Sequence, residues 1–224
     1  DTLDPNALVN RLPKIFPQSP IVTSNLDTVI ETVYQNQGVP MGQILYGMTF
    51  NAQQLKRITS NKDHVLLKIH GCIKDKDTVV FSENQYSRLY GPLDSKREYK
   101  NKVSKMFPAQ FKKMTNEIRF LFLGCSLSED RYLEILKQVK EQAKEDANYH
   151  FAIIAAPEDE SEFIERQKYL ASCGIAPIWY ATGHYEQIGE YLSKLSSERQ
   201  NSEYTSIKET HINGSEISHF FVDL

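Results

Sequence analysis

Three short segments of the chain carry side chains that could do chemistry, and each comes directly after an apolar run that predicts a β-strand. In the first, Asn25 and Asp27 place a carboxamide and a carboxylate two residues apart, just ahead of a predicted helix. Such a pair beside a helix N-terminus could orient a sugar hydroxyl or an attacking water. Ser24 and Asp27 also match the S-x-x-D capping pattern, so helix capping is the structural alternative.

The second segment is an apolar strand that ends in His70, followed by Gly71. An imidazole titrates near neutrality and can accept a proton from a ribose hydroxyl, and a glycine permits the turn that presents the ring to a crevice. The alternative is a hydrogen-bonded histidine with a structural role. His64, at the start of the same strand, lacks this context, and we expect it at the surface.

The third segment is a turn of small residues, Gly124-Cys125-Ser126, between an apolar strand and a helix. Gly124 lets a ligand approach the backbone, while the Ser126 hydroxyl and nearby amides could hold ribose or phosphate oxygens. Ser126 and Glu129 also form an S-x-x-E pattern, so a capping box is the alternative here.

A parallel sheet must position these segments, because several apolar runs are continuous instead of alternating, as in strands buried on both faces. The predicted strands cover residues 21–23, 65–69, 79–81, 119–123, 150–155 and 178–180, and the predicted helices cover 27–34, 83–89, 96–114, 128–147, 158–172 and 185–196. This alternation predicts an α/β fold with a Rossmann-like, doubly wound parallel sheet and helices on both faces. Ligands bind such sheets beyond the carboxyl ends of the strands, where all three segments lie.

Composition limits the classes of protein to which the chain could belong. Its 224 residues are 40% hydrophobic and carry a formal net charge of −3, so a large core is expected and nucleic acid is an unlikely partner. Three cysteines without CxxC spacing argue against a disulfide framework and against a four-cysteine zinc module, and they fit a reducing cytoplasm. The apolar runs are too short to span a membrane.

The same survey predicts one domain over residues 1–196. From Ser197 the sequence turns polar, and it becomes apolar again at 217–222, which predicts a linker and the start of a further element. Asp1 is not a natural start, so we expect an upstream portion.

The order of the three segments resembles the sirtuin family. Residues 23–27 are similar to its Thr-x-Asn-x-Asp motif, His70-Gly71 to its catalytic His-Gly pair, and residues 124–127 to its Gly-x-Ser segment. A closer resemblance is to the sirtuin-like branch found in bacterial anti-phage defence proteins. That resemblance covers roughly residues 19–195, and it rests on Asn25-Leu26-Asp27, Lys68-Ile69-His70-Gly71, Tyr86-Ser87-Arg88-Leu89-Tyr90 and Phe122-Leu123-Gly124-Cys125-Ser126.

The resemblance implies an NAD hydrolase (NADase) that cleaves the nicotinamide–ribose bond and depletes NAD after infection. It implies that Asn25 positions water or the ribose, that His70 binds or deprotonates a ribose hydroxyl, and that Asp27 supports the nicotinamide side. Gly124 and Ser126 would hold the adenosine ribose. The remaining residues expected to contact NAD are Ser24, Gly71 and Cys125. No metal is expected, because the leaving group is already a cationic pyridinium.

Two departures from the family pattern shape these expectations. Family members open with a strand and a glycine-rich turn that cradles the pyrophosphate, whereas residues 1–18 contain no glycine. We therefore expect the chain to begin downstream of that turn. Protein-deacylating sirtuins insert a four-cysteine zinc module before the Gly-x-Ser segment, whereas residues 75–123 contain no cysteine, which favours NAD hydrolysis over deacylation.

Two other functions remain as alternatives. One is a non-catalytic nucleotide-binding or assembly module, and the other is a protein deacylase or ADP-ribosyl transferase that uses the same NAD. By the same resemblance we expect self-association, and an activating trigger that is either phage-derived or intramolecular.

Overall fold

A computed structural model describes residues 7–60, 64–91, 106–128, 131–143, 149–206 and 219–222. The strands in these ranges are β1 (Ile21–Thr23), β2 (Gln43–Tyr46), β3 (Val65–Lys68), β4 (Phe120–Leu123), β5 (His150–Ala156), β6 (Ile175–Ala181) and β7 (His219–Val222). They form one sheet in the order β2-β3-β1-β7-β4-β5-β6, and every described pair is parallel. The predicted α/β fold with a Rossmann-like parallel sheet is confirmed.

Helices cover both faces of this sheet. They are α1 (Leu12–Ile15), α2 (Val29–Asn36), α3 (Ala52–Thr59), α4 (Glu83–Tyr90), α5 (Met106–Glu117), α6 (Arg131–Ala143), α7 (Glu160–Ser172) and α8 (Glu186–Ser206). Short 3₁₀ helices lie at Leu8–Arg11, Gly47–Thr49 and Lys76–Thr78. Residues of α3 to α7 pack into one apolar core, and residues of α1, α2 and α8 pack into another.

Alternate apolar residues of β1, β3, β4 and β5 enter opposite cores, which explains the continuous apolar runs in these strands. In β4, Phe120 and Phe122 belong to the core with α5 and α6, while Leu121 and Leu123 belong to the core with α2 and α8. Side chains alternate between the two faces of a strand, so a strand covered on both faces needs apolar residues at every position.

Local sequence explains how the helices that flank the site begin and pack. Ser82 caps α4 in a capping box with Gln85, and each residue's side chain accepts from the other's backbone N–H. On α6, Leu133, Leu136 and Val139 recur at three-residue steps and are all buried.

Some sequence-based predictions are wrong. Residues 79–81, predicted as a strand, form an irregular segment in which Val80 N–H donates to the His70 carbonyl at 2.8 Å. Only Val80 of this segment is buried, whereas Phe81 is 81% exposed, so the apolar run does not mark a strand of the sheet. His64, expected at the surface, is buried, and its Nδ1 lies 3.3 Å from the Pro40 carbonyl oxygen. The first part of the helix predicted at 96–114 lies outside the described residues.

The last described strand, β7, lies at the centre of the sheet between β1 and β4. Phe221 is opposite Val22 on one side and Phe122 on the other. Helix α8 continues to Ser206, through the first part of the segment predicted as a linker. The division of the chain at residue 196 stays a prediction.

Candidate active site

The three predicted segments meet at one edge of the sheet. Thr23 pairs with Lys68, and Leu123 pairs with Val222 in β7, whose other neighbour is β1. Because all these strands are parallel, their carboxyl ends face the same side. Segments 24–27 and 124–127 follow β1 and β4, which are two strand spacings or about 10 Å apart. This is the edge at which doubly wound sheets bind ligands.

The loop of residues 24–28 turns the chain from β1 into α2. Asn25 N–H donates to Thr23 Oγ1 at 3.1 Å, and Val29 N–H donates to Asp27 Oδ1 at 2.9 Å. Asp27 is exposed, whereas Ser24 and Asn25 are half-buried. The capping box suggested by Ser24 and Asp27 does not form, because α2 begins at Val29 with Thr28 as its N-cap.

The His70 ring lies between two tyrosine hydroxyls. Its Nε2 is 2.9 Å from Tyr90 Oη, and its Nδ1 is 3.5 Å from Tyr86 Oη. The ring is 6% exposed, and burial lowers the pKa of His70 from 6.5 to about 4. At neutral pH the imidazole is therefore uncharged, with one nitrogen donating and the other accepting.

Tyr86 and Tyr90 enter the sequence argument only as part of a family pattern, without a role. The structure gives them one, since both hydroxyls lie within reach of His70 and the two rings stack at 5.8 Å between centroids. Their spacing of four residues is the signal that could have found them, because residues four apart share one face of a helix.

Gly71 allows the tight turn that follows His70. Its φ is +88°, and a Cβ at this position would come within 2.1 Å of the Thr78 carbonyl oxygen. The left-handed conformation and the nearby backbone both require glycine. The structure thus gives Gly71 a structural reason to be glycine, while its predicted contact with NAD stays a prediction.

We expect Gly71→Ala to destabilise the protein by about 3 kcal/mol or more, because the strain of a left-handed alanine adds to a steric clash with backbone. Gly183→Ala is the matched control, since Gly183 has φ +84° and no atom lies within 4 Å of the position that its Cβ would take. Gly183→Ala should lower the unfolding free energy by about 1 kcal/mol. Urea denaturation of both variants measures the difference, and equal losses would contradict a clash with Thr78.

The turn after β4 presents its main chain to the crevice. Gly124 has φ +69° and is exposed, as is Ser126. Ser126 Oγ lies 2.8 Å from Ser128 Oγ, and Arg166 donates to the Ser126 carbonyl. The Cys125 side chain is buried, with Sγ 3.4 Å from the Leu123 carbonyl oxygen, so only its backbone could contact a ligand. The proposed partner of Ser126 in a capping box, Glu129, lies outside the described residues.

A second buried histidine, His150, supports the fold at the opposite edge of the sheet. Phe120 N–H donates to its Nδ1 at 3.2 Å, and burial, assisted by the charge of Arg119, lowers the pKa of His150 to about 4. Both His70 and His150 are therefore neutral when folded, and the unfolded chain takes up protons at these rings between about pH 6.5 and pH 4. The two neutral rings therefore make their full contribution to the unfolding free energy above pH 6.5, and this contribution is lost as the pH falls towards 4.

We expect His150→Asn to weaken this pH dependence. Asparagine Oδ1 can accept from Phe120 N–H but does not titrate, so between pH 7 and pH 5 the variant should lose about 2 kcal/mol less unfolding free energy than the wild type. Urea denaturation at the two pH values measures this. An unchanged loss in His150→Asn would contradict a neutral, buried His150.

Two other features are not found among the described residues. None of the helices in these ranges is both long and apolar enough to cross a membrane. Across the same ranges, no group of three or more His, Cys, Asp or Glu side chains is placed to hold a metal ion.

Comparison with known proteins identifies the family of the chain. A search of curated proteins finds no significant match. The model of the SIR2-like domain, however, matches residues 19–178, a range that includes the loop after β1, the His70 turn and the turn after β4. On this match, which covers more than half of its length, the chain belongs to the SIR2-like domain family.

Proposed function

We propose that this SIR2-like domain is an NAD hydrolase that cleaves the nicotinamide–ribose bond of NAD. The family consists of NAD-dependent enzymes. The observation that carries the proposal is that the Asn25 loop, the neutral His70 ring and the exposed turn at Gly124 and Ser126 follow β1, β3 and β4 at the same edge of the sheet. These groups are the kinds that bind sugar hydroxyls and orient water.

The proposal assigns part of the dinucleotide to described residues. Gly124 has no side chain to block a ribose from its backbone, and the exposed Ser126 hydroxyl can donate to or accept from a ribose hydroxyl. Their distance from the Asn25 loop, across β7, suits the two ends of a dinucleotide better than a single small ligand. The glycine-rich turn that cradles the pyrophosphate in family members is not found among residues 7–18, and the proposal assigns no described residue to the pyrophosphate.

The proposed reaction consumes water and needs no redox step. A water oxygen bonds to ribose C1′ while the C1′–N bond breaks, and nicotinamide leaves as a neutral ring with the electron pair of that bond. The water proton passes to solvent, and ADP-ribose is the second product. In this proposal the Asn25 carboxamide orients the water, and the Asp27 carboxylate stabilises positive charge that develops on the sugar.

His70 is better suited to hydrogen bonding than to removing a proton. Because its pKa is about 4, the ring is a weak base at pH 7, and general bases work best with a pKa near the working pH. The neutral ring is hydrogen-bonded to Tyr86 and Tyr90. One ring nitrogen can accept from a ribose hydroxyl when the tyrosine that donates to it moves away. We therefore propose that His70 binds and orients the ribose.

The biological setting is also proposed by resemblance. We propose that NAD depletion serves anti-phage defence in the cytoplasm, that the domain works as a homo-oligomer, and that an infection signal or another region of the protein controls it. Nucleic acid is not a proposed partner, given the net charge of −3.

Incubating the protein with NAD and separating the products by liquid chromatography tests the proposal. We expect equal amounts of nicotinamide and ADP-ribose. Nicotinamide release only in the presence of an acetyl-lysine peptide would instead indicate a deacylase. No release by the full-length, activated protein, with NAD binding still detected by calorimetry, would indicate a non-catalytic nucleotide-binding module.

A further inference from the structure

Lys68 is a buried cation at the end of an apolar strand. Its side chain is only 1% exposed, and the three residues before it in β3 are Val65, Leu66 and Leu67. Burying an ammonium group costs free energy unless the charge is paired and its protons are hydrogen-bonded. The partners of Lys68 therefore show what the charge is used for.

Two groups from different elements satisfy this ammonium. Lys68 Nζ lies 3.0 Å from Glu31 Oε1 on α2, and it also donates to the main-chain carbonyl of Asp27. The Glu31 side chain is 16% exposed, and its second oxygen, Oε2, is buried without a hydrogen-bond partner in the described part of the chain. Glu31 thus supplies the counter-charge, while the second bond ties β3 to the loop of residues 24–28.

The bond to Asp27 completes a set of main-chain tethers on that loop. Asn25 N–H is held by Thr23 Oγ1 at 3.1 Å, and the Leu26 carbonyl accepts from Ile73 N–H at 2.8 Å. With Lys68 on the Asp27 carbonyl, each of three consecutive residues has a main-chain group held by a described hydrogen bond. Fixing these peptide groups restricts the backbone that carries the Asn25 side chain.

Stability alone does not account for this arrangement. Replacing a buried ion pair by apolar side chains of similar size is often neutral or stabilising. What an apolar pair cannot supply is a directed donor to the Asp27 carbonyl. We propose that Lys68 is a positioning residue for Asn25: its buried ammonium, neutralised by Glu31, fixes the loop of residues 24–28 through the carbonyl of Asp27.

The double variant Lys68→Met/Glu31→Leu separates positioning from stability. It should unfold at a urea concentration close to that of the wild type, yet amide hydrogen exchange at residues 25–28 should be at least tenfold faster. Exchange in β3 and β1 should stay at the wild-type rate. Lys56→Met, on the exposed side of α3, is the control for loss of a lysine and should change neither measurement. Wild-type exchange at residues 25–28 in a folded double variant would overturn the proposal.

The kinetic arm rests on the proposed function. With NAD, kcat of the double variant should fall at least tenfold while KM changes less than threefold, because a loosely held Asn25 affects the transition state more than binding. A wild-type kcat would overturn the proposal. If the wild type itself releases no nicotinamide, the proposed function fails, and the exchange measurement still decides whether Lys68 holds the loop.

A single variant keeps the test decisive if the double variant does not fold. Glu31→Gln retains an acceptor for Lys68 and leaves its bond to Asp27 intact. Exchange at residues 25–28 should then remain within threefold of the wild-type rate even if the urea midpoint falls. Exchange at least tenfold faster in a folded Glu31→Gln protein would show that the loop depends on the counter-charge and not on the Lys68 donor, and would overturn the proposal.

Discussion

Replacing Asn25 with alanine should slow nicotinamide release by about 100-fold or more, since the loss of one positioned polar group from a preorganised site costs roughly two to three orders of magnitude. The backbone tether from Asn25 N–H to Thr23 Oγ1 does not involve the side chain, so the loop should keep its conformation. Initial rates at saturating NAD, compared with the wild type, measure the effect.

Asn36→Ala is the matched control for this substitution. Asn36 is the exposed last residue of α2, so its loss should leave the rate within experimental error of the wild type. Circular dichroism and a urea titration establish that Asn25→Ala is folded. A folded Asn25→Ala protein with the wild-type rate would contradict the role proposed for the carboxamide.

Replacing Phe221 with proline should cost about 3 kcal/mol or more of unfolding free energy and abolish nicotinamide release. Proline removes a backbone N–H and fits poorly into a central strand. Phe221 lies in β7, between Val22 of β1 and Phe122 of β4. Because β7 joins the half of the sheet that carries Asn25 to the half that carries Ser126, its loss should affect both stability and the site.

Phe221→Val controls for loss of the side chain, since valine keeps the N–H and favours strands. Its loss of stability should be clearly smaller than that of the proline variant. Urea midpoints of the two variants give the comparison. Equal stability of Phe221→Pro and the wild type would mean that β7 is not a central strand in solution.

The strands buried on both faces can be predicted from sequence because their apolar character is local. Phe120 to Leu123 is apolar throughout, and each residue enters one of two cores. Gln43–Tyr46 lacks that signal, because it is an edge strand with only one of its four residues buried, and the sequence does not predict it. The placement of β7 cannot be predicted either, since strand order depends on contacts between residues that are far apart in the chain.

The site is predictable to the same extent. Residues that follow strands in an α/β protein meet at one edge, so Asn25, His70 and Ser126 can be placed together from their order alone. The side chains that position these residues cannot be predicted in this way. Glu31 is 37 residues from Lys68 in sequence, and only folding brings the two side chains to 3.0 Å. Burial of His64 likewise depends on the packing of Tyr34, whose ring centroid lies 5.1 Å from that of the histidine.

The chain of hydroxyl, imidazole and hydroxyl formed by Tyr90, His70 and Tyr86 has a direction. A neutral imidazole carries a single N–H, so one phenol must donate a hydrogen bond to the ring and the other must receive a hydrogen bond from the ring N–H. The receiving phenol keeps a hydrogen of its own. Tyr90 is buried and Tyr86 is half-buried. When Tyr90 donates to the ring, the hydroxyl hydrogen that the ring does not accept belongs to Tyr86, the tyrosine nearer to solvent. In the opposite direction of hydrogen bonding, Tyr86 donates to His70 and the remaining hydrogen belongs to Tyr90. The direction of these two hydrogen bonds therefore decides whether Tyr86 donates to an incoming sugar oxygen or only accepts from it.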